Sequence, residues 1–188
     1  SRGLGDVYKR QDGKFVNNKT EKLFNLNKIS SLTDLKYDIH LMVEEPLNKI
    51  DDYIKYEPEI ITVHIEKNSN LIDCIRKIKS YNINVGVAIN PDTNISELYD
   101  ILELIDLVLI MSVHPGKGGQ KFINKTIDKV KDINNKKSNN NFIISVDGGV
   151  NNTNSKDLIN SGADLLVSGS YLVKSDNLNN SIKSLLIH

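Results

Sequence analysis

Residues 142–151 read FIISVDGGVN, a short apolar run that ends in an aspartate and two glycines. The run is rich in isoleucine and valine and is mostly apolar on both faces, which is typical of a strand inside a parallel sheet covered by helices. Asp147 closes the strand, and Gly148 and Gly149 follow where the chain turns away. An aspartate that interrupts an apolar strand at its trailing end indicates a functional position.

The same pattern repeats along the chain from residue 36 onward. Further strand candidates are YDIHLMV (37–43), IITVHI (60–65), NVGVAIN (84–90), LVLIMSV (107–113) and DLLVSGS (164–170). Amphipathic segments with helical spacing separate them, and this alternation predicts right-handed parallel crossovers. A doubly wound open sheet and a (β/α)8 barrel both fit. The count of six strands favours the open sheet, because a barrel needs eight strands and usually at least about 200 residues.

The placement of unusual residues favours the barrel instead. His40, the HPGKGG loop (114–119), Asp147 and the GS pair at 169–170 lie at the trailing ends of four different strands. An open sheet gathers its site at one crevice where the strand order reverses, whereas a barrel builds its site from the loops after many strands. We therefore predict a β/α barrel of the TIM type.

Composition argues against a nucleic-acid-binding protein and against a membrane-spanning segment. The 188 residues carry a formal net charge of zero, which makes nucleic acid a poor partner, and the apolar run around residues 105–113 is too short to span a bilayer. The single cysteine, Cys74, occupies a helical apolar position and suits a reducing cytoplasm. Residues 1–11, SRGLGDVYKRQ, lack apolar periodicity and resemble a translated vector sequence. We expect a non-native or disordered leader at 1–11 and one domain over 12–188.

Three glycine-containing loops indicate a phosphate site. Each precedes a helical segment, where backbone amides can approach an anion closely. The loops hold Gly116, Gly118 and Gly119; Gly148 and Gly149; and Gly169 and Ser170. The last two loops occupy the usual phosphate position of a barrel. None of the three matches a nucleotide-binding glycine motif, so a nucleotide is not implied.

His40 and Asp147 are candidates for ligands of one divalent metal, since imidazole and carboxylate are common metal donors. Alternation along its strand places His40 on one face with Asp38 and Met42. His64 faces the same way as Thr62 and Glu66 and is a candidate for support of the site. His114 begins a loop and is a candidate for substrate contact.

The six motifs DIHLMVEEP, ITVHIE, VGVAINPDT, VLIMSVHPGKGGQKFI, ISVDGGVN and GADLLVSGSYLV occur in this order. Together they resemble the ribulose-phosphate 3-epimerases, β/α barrel enzymes of pentose phosphate metabolism, from residue 12 to about residue 175. The resemblance implies epimerisation of D-ribulose 5-phosphate to D-xylulose 5-phosphate at carbon 3. It also implies one divalent metal ion (zinc, iron, manganese or cobalt), a cytoplasmic enzyme and, at full length, a homo-oligomer.

The resemblance assigns roles to single residues. His40 and Asp147 match metal ligands that also contact substrate, and Asp147 matches a carboxylate that moves a proton. The other matched substrate-binding residues are Met42, Met111, Gly116, Lys117, Gly118, Gly119, Gly148, Gly149, Gly169 and Ser170.

One part of the family pattern is absent from this sequence. Upstream of the element that begins at Asp12, the family has two strands with a serine, a histidine and an aspartate, so we expect a broken barrel with strands 1 and 2 missing, strands 3 to 8 present and no turnover. The alternatives are a D-allulose 6-phosphate 3-epimerase, against which the doubled glycines of GKGG and DGGV count, and a non-catalytic phosphate-binding barrel fragment.

Overall fold

The computed structural model describes residues 6–16, 20, 36–66, 68–116, 119–137 and 141–186. Its strands are β1 (Asp6–Gln11), β2 (Tyr37–Met42), β3 (Ile60–His64), β4 (Asn84–Ile89), β5 (Leu107–Met111), β6 (Ile143–Asp147) and β7 (Leu165–Val167). They form a seven-stranded sheet in chain order, and the paired strands β1–β2, β2–β3, β5–β6 and β6–β7 are parallel. The chain divides into two compact units, residues 1–87 and 88–188, and each is described by itself.

Helices alternate with the strands, as the sequence predicts. They are α1 (Asp51–Ile54), α2 (Leu71–Ser80), α3 (Thr126–Asn134), α4 (Ser155–Asn160), α5 (Ser170–Val173) and α6 (Leu178–Leu186), with 3₁₀ helices at Pro46–Asn48 and Ile95–Leu104. Asn94 caps the longer 3₁₀ helix, since its side-chain oxygen accepts a hydrogen bond from the backbone N–H of Ser96 at 3.1 Å. No helix in the described part of the chain is both long and apolar enough to cross a membrane.

Strand β1 lies within the first eleven residues, where the sequence predicts no strand. It pairs with β2 over six residues, from Asp6 opposite Tyr37 to Gln11 opposite Met42. The ladder is made by backbone groups and forms whatever the side chains are. Strand β1 lacks an alternating apolar pattern because Lys9 and Gln11 continue the polar face of β2, where they pair with His40 and Met42. The sheet therefore has seven strands, not six.

In the first unit the two faces of the strands are buried in different ways. One face is aliphatic, and its fully buried side chains are Ile39, Leu41, Ile61 and Val63. The opposite face is polar, and its side chains Gln11, His40, Thr62 and His64 are at most 7% exposed. Burial of polar groups is costly unless they are hydrogen-bonded or serve a ligand. The polar face is thus the place to look for a site.

The second unit repeats this division. Val108, Ile110, Ile144 and Val146 are fully buried on one face, next to helix α3, whose Val130 and Ile133 are also fully buried. The other face of β5 and β6 carries Leu109, Met111, Ser145 and Asp147, all at most 4% exposed. Here too a carboxylate and a hydroxyl interrupt an otherwise apolar layer.

Asp12 joins the segment after β1 to the segment after β2. Its carboxylate accepts hydrogen bonds from three backbone N–H groups: Lys14 and Phe15 at 2.8 Å, and Glu44 at 3.0 Å. Burial raises the pKa of Asp12, but the backbone hydrogen bonds outweigh it and hold the pKa below the usual 3.8. Asp12 therefore has a structural role.

Replacing Asp12 with alanine is expected to lower the free energy of unfolding by about 1–2 kcal/mol at pH 7, since three hydrogen bonds to a charged group are lost. Because the folded pKa lies below 3.8, this stabilisation is present above that pH and is lost as pH falls below it. Urea unfolding of both proteins between pH 7 and pH 3 measures the difference. The control Asp52→Ala removes an exposed ion pair and should change stability by less than about 0.5 kcal/mol.

Candidate functional site

The polar face of the first unit brings two predicted histidines into contact. His40 Nε2 lies 3.0 Å from His64 Nε2, and His64 Nδ1 lies 3.0 Å from a carboxylate oxygen of Glu66. Both rings are almost fully buried, with His40 at 0% and His64 at 2% exposure. This contact places His64 beside His40, and its role in supporting the site stays a prediction. The three side chains form one chain of polar contacts that runs from half-buried Glu66 inward.

Two residues before Tyr37 contribute to this face, and sequence reasoning missed both. The side-chain N–H of Gln11 points to the sulfur of Met42 at 3.5 Å, which places Met42 at the polar face as predicted. The ring of Phe15 packs on His64 with 4.7 Å between ring centres. No local pattern in the sequence indicates this contact, since Phe15 and His64 are far apart in the chain.

Lys9 stands at the register position next to His40. Burial lowers the pKa of His40 well below 6.5, and the nearby His64 and Lys9 lower it further. The His40 ring is therefore neutral near pH 7. Its Nδ1 atom and the Thr62 hydroxyl, which lies opposite His40 in the β2–β3 ladder, are buried without a hydrogen-bond partner in the described residues.

In the second unit the predicted proton carrier lies beside the predicted methionine. Asp147 and Met111 are directly opposite one another in the β5–β6 ladder, and they are 3% and 2% exposed. Ser112 connects the two strand ends, since its hydroxyl contacts the carbonyl oxygens of Asp147 and Gly148 at 3.0 and 2.5 Å. Sequence reasoning did not single out Ser112.

The three glycine-containing loops meet at this end of the second unit. A Cβ at Gly119 would lie 3.8 Å from the hydroxyl of Ser170, so the first loop reaches the third. The Ser168 hydroxyl donates to the carbonyl of Val150 at 2.7 Å, which joins the third loop to the second. Residues of all three loops thus lie close together, while Lys117 and Gly118 lie outside the described residues.

Gly149 and Gly169 differ in the space around them. A Cβ at Gly149, where φ is +62°, would lie 2.8 Å from the backbone nitrogen of Phe122 and 2.9 Å from the carbonyl of Gln120. At Gly169 no atom of the described residues, apart from its chain neighbours, lies within 4 Å of the Cβ position. Gly149 is therefore required for packing of the loops, whereas Gly169 borders open space.

His114 lies at an exposed position. It is 58% exposed, and its Nδ1 lies 3.6 Å from the Asp92 carboxylate. Gly116, two residues on, has a φ of +127°, which glycine adopts without strain.

A metal ion does not fit the side chains that are gathered. In the described ranges, no group of three or more histidine, cysteine, aspartate or glutamate side chains is placed to hold one. Near His40 the polar face holds Lys9, whose positive charge opposes a cation. No chemical step is derived through a metal here.

The match that decides the family covers most of the chain. A sequence model of the "Ribulose-phosphate 3 epimerase family" matches residues 6–173, a range that includes β1. The chain belongs to the ribulose-phosphate 3-epimerase family. This confirms the resemblance seen in the motifs.

Curated relatives agree with this family. The chloroplastic ribulose-5-phosphate-3-epimerase of Arabidopsis thaliana is 38% identical over 178 residues, which are 93% of this chain and 63% of the relative. The ribulose-phosphate 3-epimerase of Bacillus subtilis is 39% identical over 162 residues, 85% of this chain and 75% of the relative. That of Helicobacter pylori strain J99 is 35% identical over 176 residues, 93% and 81% respectively. The chain thus spans 63–81% of the length of these epimerases.

Solved structures support the parallel β/α fold. A 3-hexulose-6-phosphate synthase from Salmonella typhimurium aligns with a TM-score of 0.68 over 95% of both chains, at 15% identity. A tryptophan synthase α-subunit from Pyrococcus furiosus aligns with a TM-score of 0.63 over 86% of this chain and 70% of the other, at 16% identity. At these identities the likeness concerns the fold alone, and it confirms an α/β fold with TIM-barrel-like neighbours.

We expect Gly149→Ala to lower the free energy of unfolding by about 2–4 kcal/mol, because the methyl group meets backbone atoms and the residue keeps a positive φ. Gly169→Ala is the matched control, since its methyl group enters open space and should change stability by less than about 0.5 kcal/mol. Urea denaturation of the three proteins measures both values. Equal stability of the two variants would show that Gly149 is not packed against residues 120–122.

Proposed function

We propose that this chain carries the ketose-phosphate site of a ribulose-phosphate 3-epimerase, which interconverts D-ribulose 5-phosphate and D-xylulose 5-phosphate at carbon 3. The observation that carries the proposal is the meeting of the three glycine-containing loops beside Asp147 in the second unit. Family membership supplies the reaction, and the loop arrangement supplies a place for the phosphate.

Asp147 is the proposed proton carrier at carbon 3. Its carboxylate is 3% exposed and has Met111 as its direct neighbour across the ladder, so a bound sugar would meet a base in a water-poor setting. Such a carboxylate can remove a proton from one face of the carbon next to a carbonyl, or deliver one to that face, and inversion requires a second proton carrier on the opposite face. Met111 would provide a polarisable wall beside that carbon.

The proposed phosphate contacts lie at Gly119, Gly149, Gly169 and Ser170. The Ser170 hydroxyl is a hydrogen-bond donor, and the space beside Gly169 is open to a group of the ligand. His40 and Met42 are proposed to contact the sugar. Lys117, Gly116, Gly118 and Gly148 complete the proposed substrate set. The protein is further proposed to act in the cytoplasm on small molecules, and as a homo-oligomer at full length.

A divalent metal ion remains a proposal from the family pattern, with His40 and Asp147 as two of its ligands. When bound in a complete site, such an ion would polarise the substrate oxygens. Two ligands are too few for a tight site, and Lys9 adds a repelling charge next to His40. We therefore propose that the chain in this form has little or no turnover. The absence of barrel strands 1 and 2 also stays a prediction. It now has to account for β1, a strand that precedes the six strands counted in the sequence.

Binding of D-ribulose 5-phosphate is expected to be weakened at least tenfold by Gly169→Ala, a loss of about 1.4 kcal/mol. The reason is that the added methyl group occupies the open space proposed for the phosphate. Isothermal titration calorimetry measures the dissociation constant. The control is Asn179→Ala, an exposed change on helix α6, which should leave binding unchanged.

The same titration separates the candidate functions. Tighter binding of D-ribulose 5-phosphate than of D-allulose 6-phosphate supports the pentose epimerase, and the reverse order supports the hexose epimerase. Equal binding of both sugars and of inorganic phosphate supports a non-catalytic phosphate-binding fragment. Absence of all binding would overturn the proposed site.

The change Lys9→Asp is expected to tighten cobalt binding at least tenfold, because it replaces a positive charge with a possible ligand beside His40. Visible absorption of bound cobalt measures the affinity. Lys55→Asp makes the same charge change at an exposed position and should have little effect. Robust conversion of D-ribulose 5-phosphate by the unaltered chain, followed by a coupled assay, would refute the proposed loss of turnover.

A further inference from the structure

Three side chains of the first unit are connected in series. A carboxylate oxygen of Glu66 lies 3.0 Å from His64 Nδ1, and the other ring nitrogen of His64 lies 3.0 Å from His40 Nε2. Glu66 is the outermost member, with 17% of its side chain exposed, while both rings are almost completely buried. The geometry restricts where the protons can lie, because each contact needs one donor and one acceptor.

An ionised carboxylate only accepts hydrogen bonds, so Glu66 fixes a proton on His64 Nδ1. In the neutral imidazole of His64, Nε2 is then the acceptor. The facing atom, His40 Nε2, must be the donor. A second proton, on His40 Nδ1, would be a fully buried donor without an acceptor in the described residues, so the single ring proton lies on Nε2 and Nδ1 is bare.

The surroundings of His40 Nδ1 agree with this assignment. The atom is buried and has no hydrogen-bond partner in the part of the chain that the structure describes. The reverse arrangement would place a proton on Nδ1 and leave a buried donor without an acceptor, and it would also make His64 a buried cation. Orphaned buried donors are rarer than under-satisfied acceptors, and a buried cation adds a desolvation cost.

We propose that Glu66 and His64 are positioning residues that hold the proton of His40 on Nε2 and so leave Nδ1 as a bare acceptor. Thr62, which is opposite His40 in the β2–β3 ladder, has a hydroxyl that is also buried without a partner in the described residues. This deepens the proposed function, since His40 belongs to its site. It rests on the contacts of the first unit alone.

The packing around His64 keeps the series aligned. The Phe15 ring lies on the His64 ring with 4.7 Å between centres and a tilt of 46°. Phe15 is held in turn by the bond from its backbone N–H to the Asp12 carboxylate at 2.8 Å. The short DGKF segment (12–15) therefore supports the orientation of a ring that is far from it in sequence.

The experiment is a long-range ¹H–¹⁵N correlation spectrum of the uniformly ¹⁵N-labelled chain at pH 7. Such a spectrum distinguishes protonated from bare ring nitrogens, and the four histidines can be assigned with single His→Gln variants. We expect one tautomer for His40, with Nε2 protonated and Nδ1 bare, and the Nδ1-protonated tautomer for His64. A proton on His40 Nδ1, or a doubly protonated His64, in the spectrum of the unaltered chain would overturn the proposal.

Variants of Glu66 test its part in the series. Glu66→Leu removes the acceptor and should give a mixture of His40 tautomers, whereas Glu66→Gln keeps an acceptor oxygen and should preserve the single tautomer. Glu59→Leu, an exposed change in the same unit, is the control and should leave the spectrum unaltered. An unchanged His40 spectrum in Glu66→Leu would overturn the role of Glu66.

The outcome is separate from that of the proposed function. If D-ribulose 5-phosphate does not bind but the His40 spectrum shows one tautomer, the function fails and the positioning pair stands. If the sugar phosphate binds and the tautomers are mixed, the positioning pair fails and the function stands.

Discussion

The register of the parallel ladders is the constraint on which the rest of this structure depends. Side chains alternate between the two faces of a strand, so a slip of one residue would exchange the faces completely. In the observed register, Lys9, His40 and Thr62 lie in one row across β1, β2 and β3, and Met111 lies in a row with Asp147. The aliphatic side chains are left for the opposite face, where the helices pack.

This register explains why polar groups are buried without breaking the fold. The aliphatic face supplies the hydrophobic stabilisation in each unit, so the other face is free to hold groups that are unfavourable in a core. The imidazole contacts of His40 and His64 reduce the cost in the first unit, and the Ser112 hydroxyl ties the strand ends together in the second. Stability and chemistry are thus assigned to different sides of the same strands.

Much of the fold could be predicted from the sequence, since β2 to β7 are short apolar runs between amphipathic segments. The family could be predicted as well, because six motifs carry it. Strand β1 could not, because its pairing depends on backbone groups and its side chains show no apolar period.

In the site, the alternation rule placed His40 with Met42 on one face. The contact of His40 with His64 depends on how far two neighbouring strands are offset, and the role of Phe15 depends on a ring packed across sequence-distant segments. Neither is encoded in a local pattern.

The ladder between β1 and β2 has a consequence for how this sheet edge could evolve. The hydrogen bonds of this ladder join main-chain atoms. The edge of the sheet can therefore pair with any segment that adopts an extended conformation, largely independent of its side chains. The charge beside His40 is then set by the residue of β1 that pairs with it. In this chain that residue is Lys9, which carries an ammonium group, and a carboxylate residue at the same position would give a negative charge. A change of residue in this outermost strand can therefore reverse the sign of the charge beside the His40 imidazole while the architecture of the sheet is conserved.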